Sequence, residues 1–159
     1  MQTLLAHKSN YSESGGRKID YIVIHFTSND GDTAKGNCNY FAGANRKASA
    51  HYFVDENEVW QSVPDKHVAW HCGARTYKHP SCRNANSIGI EMCSRKDANG
   101  QYYIAPETVA RAIELTKQKM GEYGVTVDRV LRHYDVTGKL CPEPFVRNPE
   151  LWDDFLGKL

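Results

Sequence analysis

The chain has 159 residues, a length that fits one globular domain and excludes two of ordinary size. Its 20 lysines and arginines against 19 aspartates and glutamates give a net charge of +1 without a long run of one sign, which argues against nucleic acid or an anionic membrane surface as the partner. No apolar run is long enough to cross a membrane, whereas 40% hydrophobic residues can supply a core.

The amino terminus and the cysteines bear on the cellular compartment. Residues 1–8 contain no basic segment followed by an apolar stretch, so no secretory signal is visible and synthesis in the cytoplasm is expected. An odd number of cysteines cannot all pair within one chain, so at least one is free, reactive or metal-bound. The five are Cys38, Cys72, Cys82, Cys93 and Cys141.

The first half of the chain predicts a buried strand, a short helix and a hairpin. Residues 21–26 form a β-branched and aromatic run, too short for a helix and typical of a central strand. Residues 32–33 can cap a short helix that Gly43 weakens. Residues 51–54 and 59–63 flank a polar turn and predict the two strands of a hairpin.

The middle of the chain predicts another strand and the clearest helix. Residues 87–92 alternate in such a way that Glu91 lies on the face opposite the apolar side chains. The helix begins near Pro106, a residue tolerated in a first turn. Gly121 and Gly124 are expected to stop it.

The last segments complete an alternation of strands and helices. Residues 125–131 predict a strand that leads into His133, and residues 148–155 predict a short terminal helix. This alternation favours an α/β fold, a single domain with a central mixed β-sheet flanked by helices.

Two histidines and a cysteine form a candidate metal site. His25 ends a buried strand, His133 follows another, and Cys141 comes eight residues later after a turn-prone segment. Imidazole nitrogen and thiolate sulfur are good zinc ligands, and three of them leave a fourth position open for water. On the residues alone, hydrogen-bonded structural histidines and a buried cysteine remain the alternative.

Two charged residues gain meaning if this metal site exists. Glu91 is a carboxylate in an otherwise apolar strand, so it should seek a cation or a metal-bound water. Lys139 lies two residues before Cys141 and can neutralise an oxyanion on a polarised carbonyl, although a solvated lysine in a turn explains it equally well.

Several segments resemble the type 2 N-acetylmuramoyl-L-alanine amidases, a family of bacteriophage endolysins and muropeptide amidases related to the peptidoglycan recognition proteins. The similar segments occur in the family's order, and the resemblance is strongest over residues 20–145. They are residues 21–25 (YIVIH), 49–54 (SAHYFV), 69–74 (AWHCGA), 86–91 (NSIGIE) and 132–142 (RHYDVTGKLCP).

The resemblance implies a zinc enzyme in which His25, His133 and Cys141 hold the ion. It implies that Glu91 is the catalytic carboxylate and that Lys139 assists at the scissile carbonyl. The bond cleaved would join N-acetylmuramic acid to the L-alanine of the stem peptide in bacterial peptidoglycan.

The resemblance also suggests residues that contact the substrate. Some members use a tyrosine in the second segment in place of the glutamate. Here that position corresponds to His51, with Tyr52 on the opposite face, which strengthens the assignment to Glu91. Trp70 and His71 resemble the substrate-groove segment, where an indole packs against sugar or peptide and an imidazole can form a hydrogen bond.

The implied organisation is one zinc amidase catalytic domain over residues 1–159. The length leaves no room for a wall-anchoring module. We therefore expect either a stand-alone amidase or the catalytic half of a longer endolysin whose cell-wall-binding domain lies outside this chain. Either form would act on the cell wall after release from the cell.

Three other interpretations stay open at this point. The first is a peptidoglycan-binding module without catalysis, although non-catalytic members of the resembled family lack the cysteine ligand. The second is a nucleophilic Cys141 with His133 as its base. The third is a structural zinc site made from His71, Cys72, His79, Cys82 and Cys93, which lack a short paired knuckle.

Overall fold

The computed structural model describes all 159 residues, which form ten strands and five α-helices. The strands are β1 (Gln2–Thr3), β2 (Tyr11–Ser12), β3 (Tyr21–Phe26), β4 (Tyr52–Val54), β5 (Val59–Gln61), β6 (Val68–Ala69), β7 (Ser87–Met92), β8 (Arg95–Lys96), β9 (Tyr102–Tyr103) and β10 (Val130–Arg132). The helices are α1 (Ala34–Ala42), α2 (Pro106–Tyr123), α3 (His133–Thr137), α4 (Glu143–Arg147) and α5 (Pro149–Gly157).

Six strands form one mixed sheet in the order β1-β5-β4-β7-β3-β10. Strands β4 and β5 are antiparallel, and all other neighbours in this sheet are parallel. Helices cover both faces, so the predicted α/β fold with a central mixed sheet is confirmed. No helix is both long and apolar enough to span a membrane.

Most predicted elements form where the sequence placed them. Strands β3 and β7, the β4–β5 hairpin and helices α1 and α5 match to within a few residues. Helix α2 starts at Pro106 and ends at Tyr123. The next residue, Gly124, has a φ of 67°, a left-handed conformation that glycine adopts without strain. Gly121 lies inside this helix and does not end it.

The region before His133 differs from the prediction. Only residues 130–132 are a strand there, because residues 127–129 form a 3-10 turn instead. Helices α3 and α4 were not predicted. Each spans only five residues, too few for a helical periodicity to be visible.

One face of the sheet carries the main hydrophobic core. Ile24 of β3 and Ile90 of β7 are fully buried there and pack with helix α2 and with Phe155 of α5. On the opposite face, Phe53 and Trp60 pack with helix α1. Because both faces of the parallel strands are covered, the polar side chains on this second face are also buried.

Candidate active site

His25 and Glu91 are neighbours on adjacent parallel strands. They are paired in register between β3 and β7, each one residue before the end of its strand. Side chains of paired residues point to the same face, here the one covered by α1. Ligands of open α/β sheets bind at the carboxyl ends of parallel strands, and both residues lie at that edge.

The segment after β10 brings the other two predicted ligands to the same edge. His133 is the first residue of α3, and the turn after this helix uses Gly138 at a φ of 84°. The backbone N–H of Tyr134 then donates to the carbonyl oxygen of Cys141 at 2.9 Å. This loop closure places Cys141 beside the start of α3.

His25, His133 and Cys141 converge on one point. One ligand atom from each lies within 4.8 Å of the others. The Sγ atom of Cys141 is 3.8 Å from Nδ1 of His25, and the rings of His25 and His133 are 4.7 Å apart at their centroids. All three side chains are at most 5% exposed.

The donor set fits a zinc ion. Buried polar atoms normally have hydrogen-bond partners, yet Nδ1 of His133 is buried and has none. Two imidazole nitrogens and one thiol sulfur are ligands that zinc prefers, and three protein ligands are typical of catalytic zinc sites. An ion in this position would satisfy the unpaired nitrogen.

The electrostatics of the site keep its histidines neutral. Burial, followed by the charge of Lys139, lowers the pKa of His133 to about 3. Burial and the neighbouring His133 hold the pKa of His25 well below its ordinary value. A neutral imidazole has a free nitrogen lone pair, which is the form that binds a metal.

Glu91 is a carboxylate held in a desolvated position. Burial raises its pKa to about 8, an effect that Lys139 opposes and Asp32 reinforces. Its Oε2 atom is buried and has no hydrogen-bond partner. A carboxylate with a pKa near neutrality can both accept and return a proton, which is the property of a general acid–base catalyst.

Two cavities border the candidate site, one beside His133 and the other beside Glu91. The first has a volume of about 590 Å³ and is lined by His133, Lys139, Trp70 and His71, among others. Its lining also includes the cations Lys47 and Arg75 and no acidic residue. The second has a volume of about 510 Å³ and contains Glu91 in its wall. His133 and Glu91 thus each border a cavity, and the cavity beside His133 is cationic.

The predicted substrate contacts occupy different environments. Trp70 is half-buried in the wall of the first cavity, and its Nε1 donates to Ser12 at 2.9 Å. His71 reaches the same cavity but is only 9% exposed, with both ring nitrogens close to protein partners. His51 is fully buried: its Nδ1 accepts from the N–H of Gly89, and its Nε2 lies 3.1 Å from a backbone carbonyl.

Several residues that shape the site were not predicted from the sequence. Arg17 donates twice to the carbonyl oxygen of Ser87, at 3.0 Å from each terminal nitrogen, and so fixes the start of β7. Lys47 and Arg75 come from loops that carry no periodic pattern. The alternation of Ser87, Gly89 and Glu91 on one face of β7 was a signal that could have drawn attention to Ser87.

The geometry gives no support to two of the alternatives. The cysteines and histidines of the proposed structural zinc site do not converge, since the only metal-compatible cluster is His25, His133 and Cys141. Nδ1 of His79 instead accepts from the backbone N–H of Cys82 at 2.9 Å. A nucleophilic Cys141 is disfavoured because burial, together with Glu91, raises the pKa of its thiol.

Comparison with known proteins decides the family. The family profile described as N-acetylmuramoyl-L-alanine amidase matches residues 15–144, which include all three converging residues and Glu91. The chain belongs to the N-acetylmuramoyl-L-alanine amidase family. The resemblance inferred from the sequence motifs is thereby confirmed.

Individual members of the family are similar to this chain in sequence. A probable N-acetylmuramoyl-L-alanine amidase of Bacillus licheniformis is 40% identical over 136 residues, which cover 80% of this chain and 37% of that protein. The chain spans about two fifths of the length of three curated Bacillus relatives that it matches.

Solved structures of the family superpose on most of the chain. A mutant endolysin from Bacillus subtilis is 28% identical with a TM-score of 0.80, and the match covers 99% of this chain and 96% of that one. The Escherichia coli amidase AmiD was solved with the substrate anhydro-N-acetylmuramic acid-L-Ala-D-γ-Glu-L-Lys. AmiD is 26% identical with a TM-score of 0.66, over 92% of this chain and 60% of that one.

Proposed function

We propose that this chain is a zinc-dependent N-acetylmuramoyl-L-alanine amidase. It hydrolyses the amide bond between N-acetylmuramic acid and the L-alanine of the stem peptide in bacterial peptidoglycan. The observation that carries the proposal is the convergence of His25, His133 and Cys141 beside Glu91, in a chain of the amidase family. Its physiological setting is cell-wall degradation by a phage endolysin or an autolysin.

His25, His133 and Cys141 would hold the zinc ion. When bound, the ion supplies Lewis-acid chemistry, which polarises a carbonyl group and makes water more acidic. The neutral state of the two imidazoles and the unpaired Nδ1 of His133 support this assignment.

Glu91 moves the protons of the reaction. Its carboxylate takes a proton from the attacking water and delivers it to the nitrogen of L-alanine as the amide bond breaks. The raised pKa of Glu91 suits both steps, because a group with a pKa near the working pH can exchange its proton in either direction.

Lys139 and the cationic cavity suit the charges of the substrate. Lys139 lines the cavity beside His133 and stabilises negative charge on the oxygen of the scissile carbonyl. Lys47 and Arg75 add positive charge to the same cavity. A peptide with free carboxylates, such as the one bound to AmiD, is complementary to this lining. The half-buried Trp70 offers an indole for contact with sugar or peptide.

Product analysis tests the proposal directly. Purified peptidoglycan is incubated with the protein, with and without a zinc chelator, and the fragments are identified by mass spectrometry. We expect stem peptides with a new amino-terminal L-alanine, intact glycan strands, loss of cleavage on chelation and recovery when zinc is restored. Cleavage of a glycosidic bond, or binding without any cleavage by zinc-loaded protein, would contradict the proposal.

Two buried cysteines provide a matched pair for the metal assignment. Cys141→Ser should lose bound zinc and activity, because oxygen is a poorer zinc ligand than thiolate. Cys38→Ser changes a cysteine that is equally buried but belongs to helix α1 and lies outside the converging cluster. It should keep both zinc and activity, and a Cys141→Ser protein with full zinc content would refute the ligand set.

A further inference from the structure

A line of hydrogen-bonding groups leads from His25 away from the candidate zinc site. Nε2 of His25 is 3.0 Å from Nδ1 of His71, and Nε2 of His71 is 3.1 Å from Oγ of Ser87. Ser87 then donates to the carbonyl oxygen of Arg83 at 2.7 Å. The three side chains are at most 9% exposed, so water competes little for these contacts.

The carbonyl oxygen of Arg83 at the end of this line determines which atom donates and which accepts in each hydrogen bond. A carbonyl oxygen can only accept, and that of Arg83 is nearer to Oγ of Ser87 than Nε2 of His71 is, so we assign the single hydroxyl hydrogen of Ser87 to Arg83. Ser87 must therefore accept the hydrogen on Nε2 of His71. A neutral imidazole carries one hydrogen, so Nδ1 of His71 is left as an acceptor for Nε2–H of His25.

The consequence for His25 is a defined tautomer. With its hydrogen on Nε2, His25 presents the lone pair of Nδ1, and this is the nitrogen that lies 3.8 Å from Sγ of Cys141. We propose that His71 is a positioning residue that holds His25 in the tautomer and ring orientation needed to bind zinc. This inference deepens the proposed function and rests on it.

The neighbouring strand is shaped to receive His71. Ser87, Gly89 and Glu91 alternate along the same face of β7, and the ring of His71 lies over Gly89. A Cβ atom at position 89 would be 2.5 Å from Cγ of His71, so a side chain there cannot coexist with the ring in this position.

The backbone of His71 is anchored as well as its ring. Oδ1 of Asn84 accepts from the backbone N–H of His71 at 3.1 Å and from that of Cys72 at 2.8 Å. His71 is thus fixed at both ends, by Asn84 on the backbone and by Ser87 on the ring. A metal-binding histidine whose second nitrogen is bonded to a fixed acceptor loses less freedom on binding, and removal of such a partner typically weakens metal binding about 10- to 100-fold.

The test compares two substitutions of His71 with a distant control. His71→Phe keeps a ring over Gly89 but removes the acceptor for His25. His71→Asn retains an acceptor atom near the position of Nδ1. His7→Ala removes an exposed histidine far along the chain from the line of bonds. Zinc affinity is measured by competition with a chromophoric chelator, and the tautomer of His25 by ¹⁵N NMR of the metal-free protein.

We expect His71→Phe to raise the Kd for zinc by about 10- to 100-fold and to abolish the single Nε2–H tautomer of His25. His71→Asn should recover most of the affinity, and His7→Ala should match the wild type. A His71→Phe protein with wild-type zinc affinity and an unchanged His25 tautomer would overturn the inference while leaving the proposed function intact. A wild-type protein that binds no zinc would instead refute the proposed function and this inference with it.

Gly89→Ala is a second way to disrupt the hydrogen bonds of His71, because residue 89 of β7 lies directly under its ring. The added methyl group should displace His71 and weaken zinc binding in the same range as His71→Phe, provided that the variant remains folded by circular dichroism. If Gly89→Ala does not fold, Ser87→Ala replaces it, because that change removes the acceptor of His71 without adding volume. Wild-type zinc affinity in the folded variant would count against the inference.

Discussion

Strands β3 and β7 present two chemically different faces to the interior. On one face, Ile24 and Ile90 are fully buried against the helices that cover the main core. On the other, His25 and Glu91 lie side by side, and Glu91 keeps a buried oxygen without a hydrogen-bond partner. The same two strands therefore serve stability on one side and chemistry on the other.

This difference shows how the fold supports unpaired polar groups. Burying a carboxylate without a partner costs free energy, and the apolar face offsets that cost by removing large side chains from water. The apolar face also fixes the position of the backbone, so that the polar side chains at the strand ends have a defined geometry. Substitutions on the two faces should consequently have separable effects.

The largest effect is expected on the polar face. Glu91→Gln should reduce amidase activity by about 10²- to 10⁴-fold, because the amide cannot accept the proton of the attacking water. Zinc content should persist, since the three converging ligands are untouched, and the variant should be no less stable than the wild type. Steady-state rates and metal analysis measure both, with Glu114→Gln on the exposed surface of α2 as the matched control. Full activity in Glu91→Gln would remove the residue from the proposed mechanism.

A substitution on the apolar face should have the opposite pattern, a loss of stability without a loss of zinc binding. Ile90→Ala should lower the free energy of unfolding by about 2–5 kcal/mol, because it leaves a cavity in a fully buried position. Denaturant titration measures this loss, and Ile90→Val should cost only about 0.5–1.5 kcal/mol. The fraction that stays folded should bind zinc with wild-type affinity. A large loss of zinc affinity in folded Ile90→Ala protein would show that the two faces are not separable.

The raised pKa of Glu91 predicts that the stability of the polar face depends on pH. In zinc-free protein the folded state keeps the Glu91 proton up to about pH 8, whereas the unfolded chain releases it near an ordinary pKa of 4.5. The folded state thus binds more protons between these values, and this carboxyl lowers the stability of the wild type as the pH rises through them. Glu91→Gln lacks this contribution.

The difference in unfolding free energy between Glu91→Gln and the wild type should therefore grow from pH 4.5 to pH 8 and level off above. We expect it to change by roughly 2 kcal/mol, since one pKa unit is worth about 1.4 kcal/mol and solvent partly screens the half-buried residue. Denaturant titrations at pH 5, 7 and 9 in the presence of chelator measure it. A difference that stays constant with pH would contradict the desolvation of Glu91.

The smallest effect is expected at the helix that covers the polar face. Oγ1 of Thr33 accepts from the N–H of Gly36 at 3.0 Å and caps helix α1. Thr33→Ala should cost about 1 kcal/mol in the free energy of unfolding and leave zinc affinity unchanged. Thr126→Ala is the control, because that threonine precedes a 3-10 turn without a side-chain capping bond. Equal losses in both variants would contradict a capping role for Thr33.

The parts of the fold that could be predicted are those with a local signal. The apolar run of β3 and the alternation in β7 are visible in six residues each, and α2 has a proline start and a glycine end. Helices α3 and α4 span only five residues each, so no helical periodicity is visible, although Asp135 caps the start of α3 and Gly138 follows its end. Short elements of this kind are stabilised mainly by tertiary packing.

The candidate metal ligands and Glu91 could be predicted from the sequence, whereas the surroundings of the neighbouring histidines could not. The motif around Cys141 and the strand ends at His25 and Glu91 could be read from the residues and their family resemblance. The surroundings of His51 and His71 could not, because the burial of an imidazole and the partners of its two nitrogens depend on side chains distant in sequence. The role of Trp70 as a substrate contact stays a prediction.

The sequence by itself determined the α/β class, the principal strands and helices, and the residue types of the candidate metal site. Only the tertiary structure decided that His25 and Cys141, which are 116 positions apart, lie within 3.8 Å, and that His71 bonds to His25 with both its nitrogens engaged. The physical reason is the sequence separation of the interacting residues. Strand and helix patterns arise from neighbours along the chain, whereas a site depends on sheet register and loop closure, which the whole packed molecule fixes.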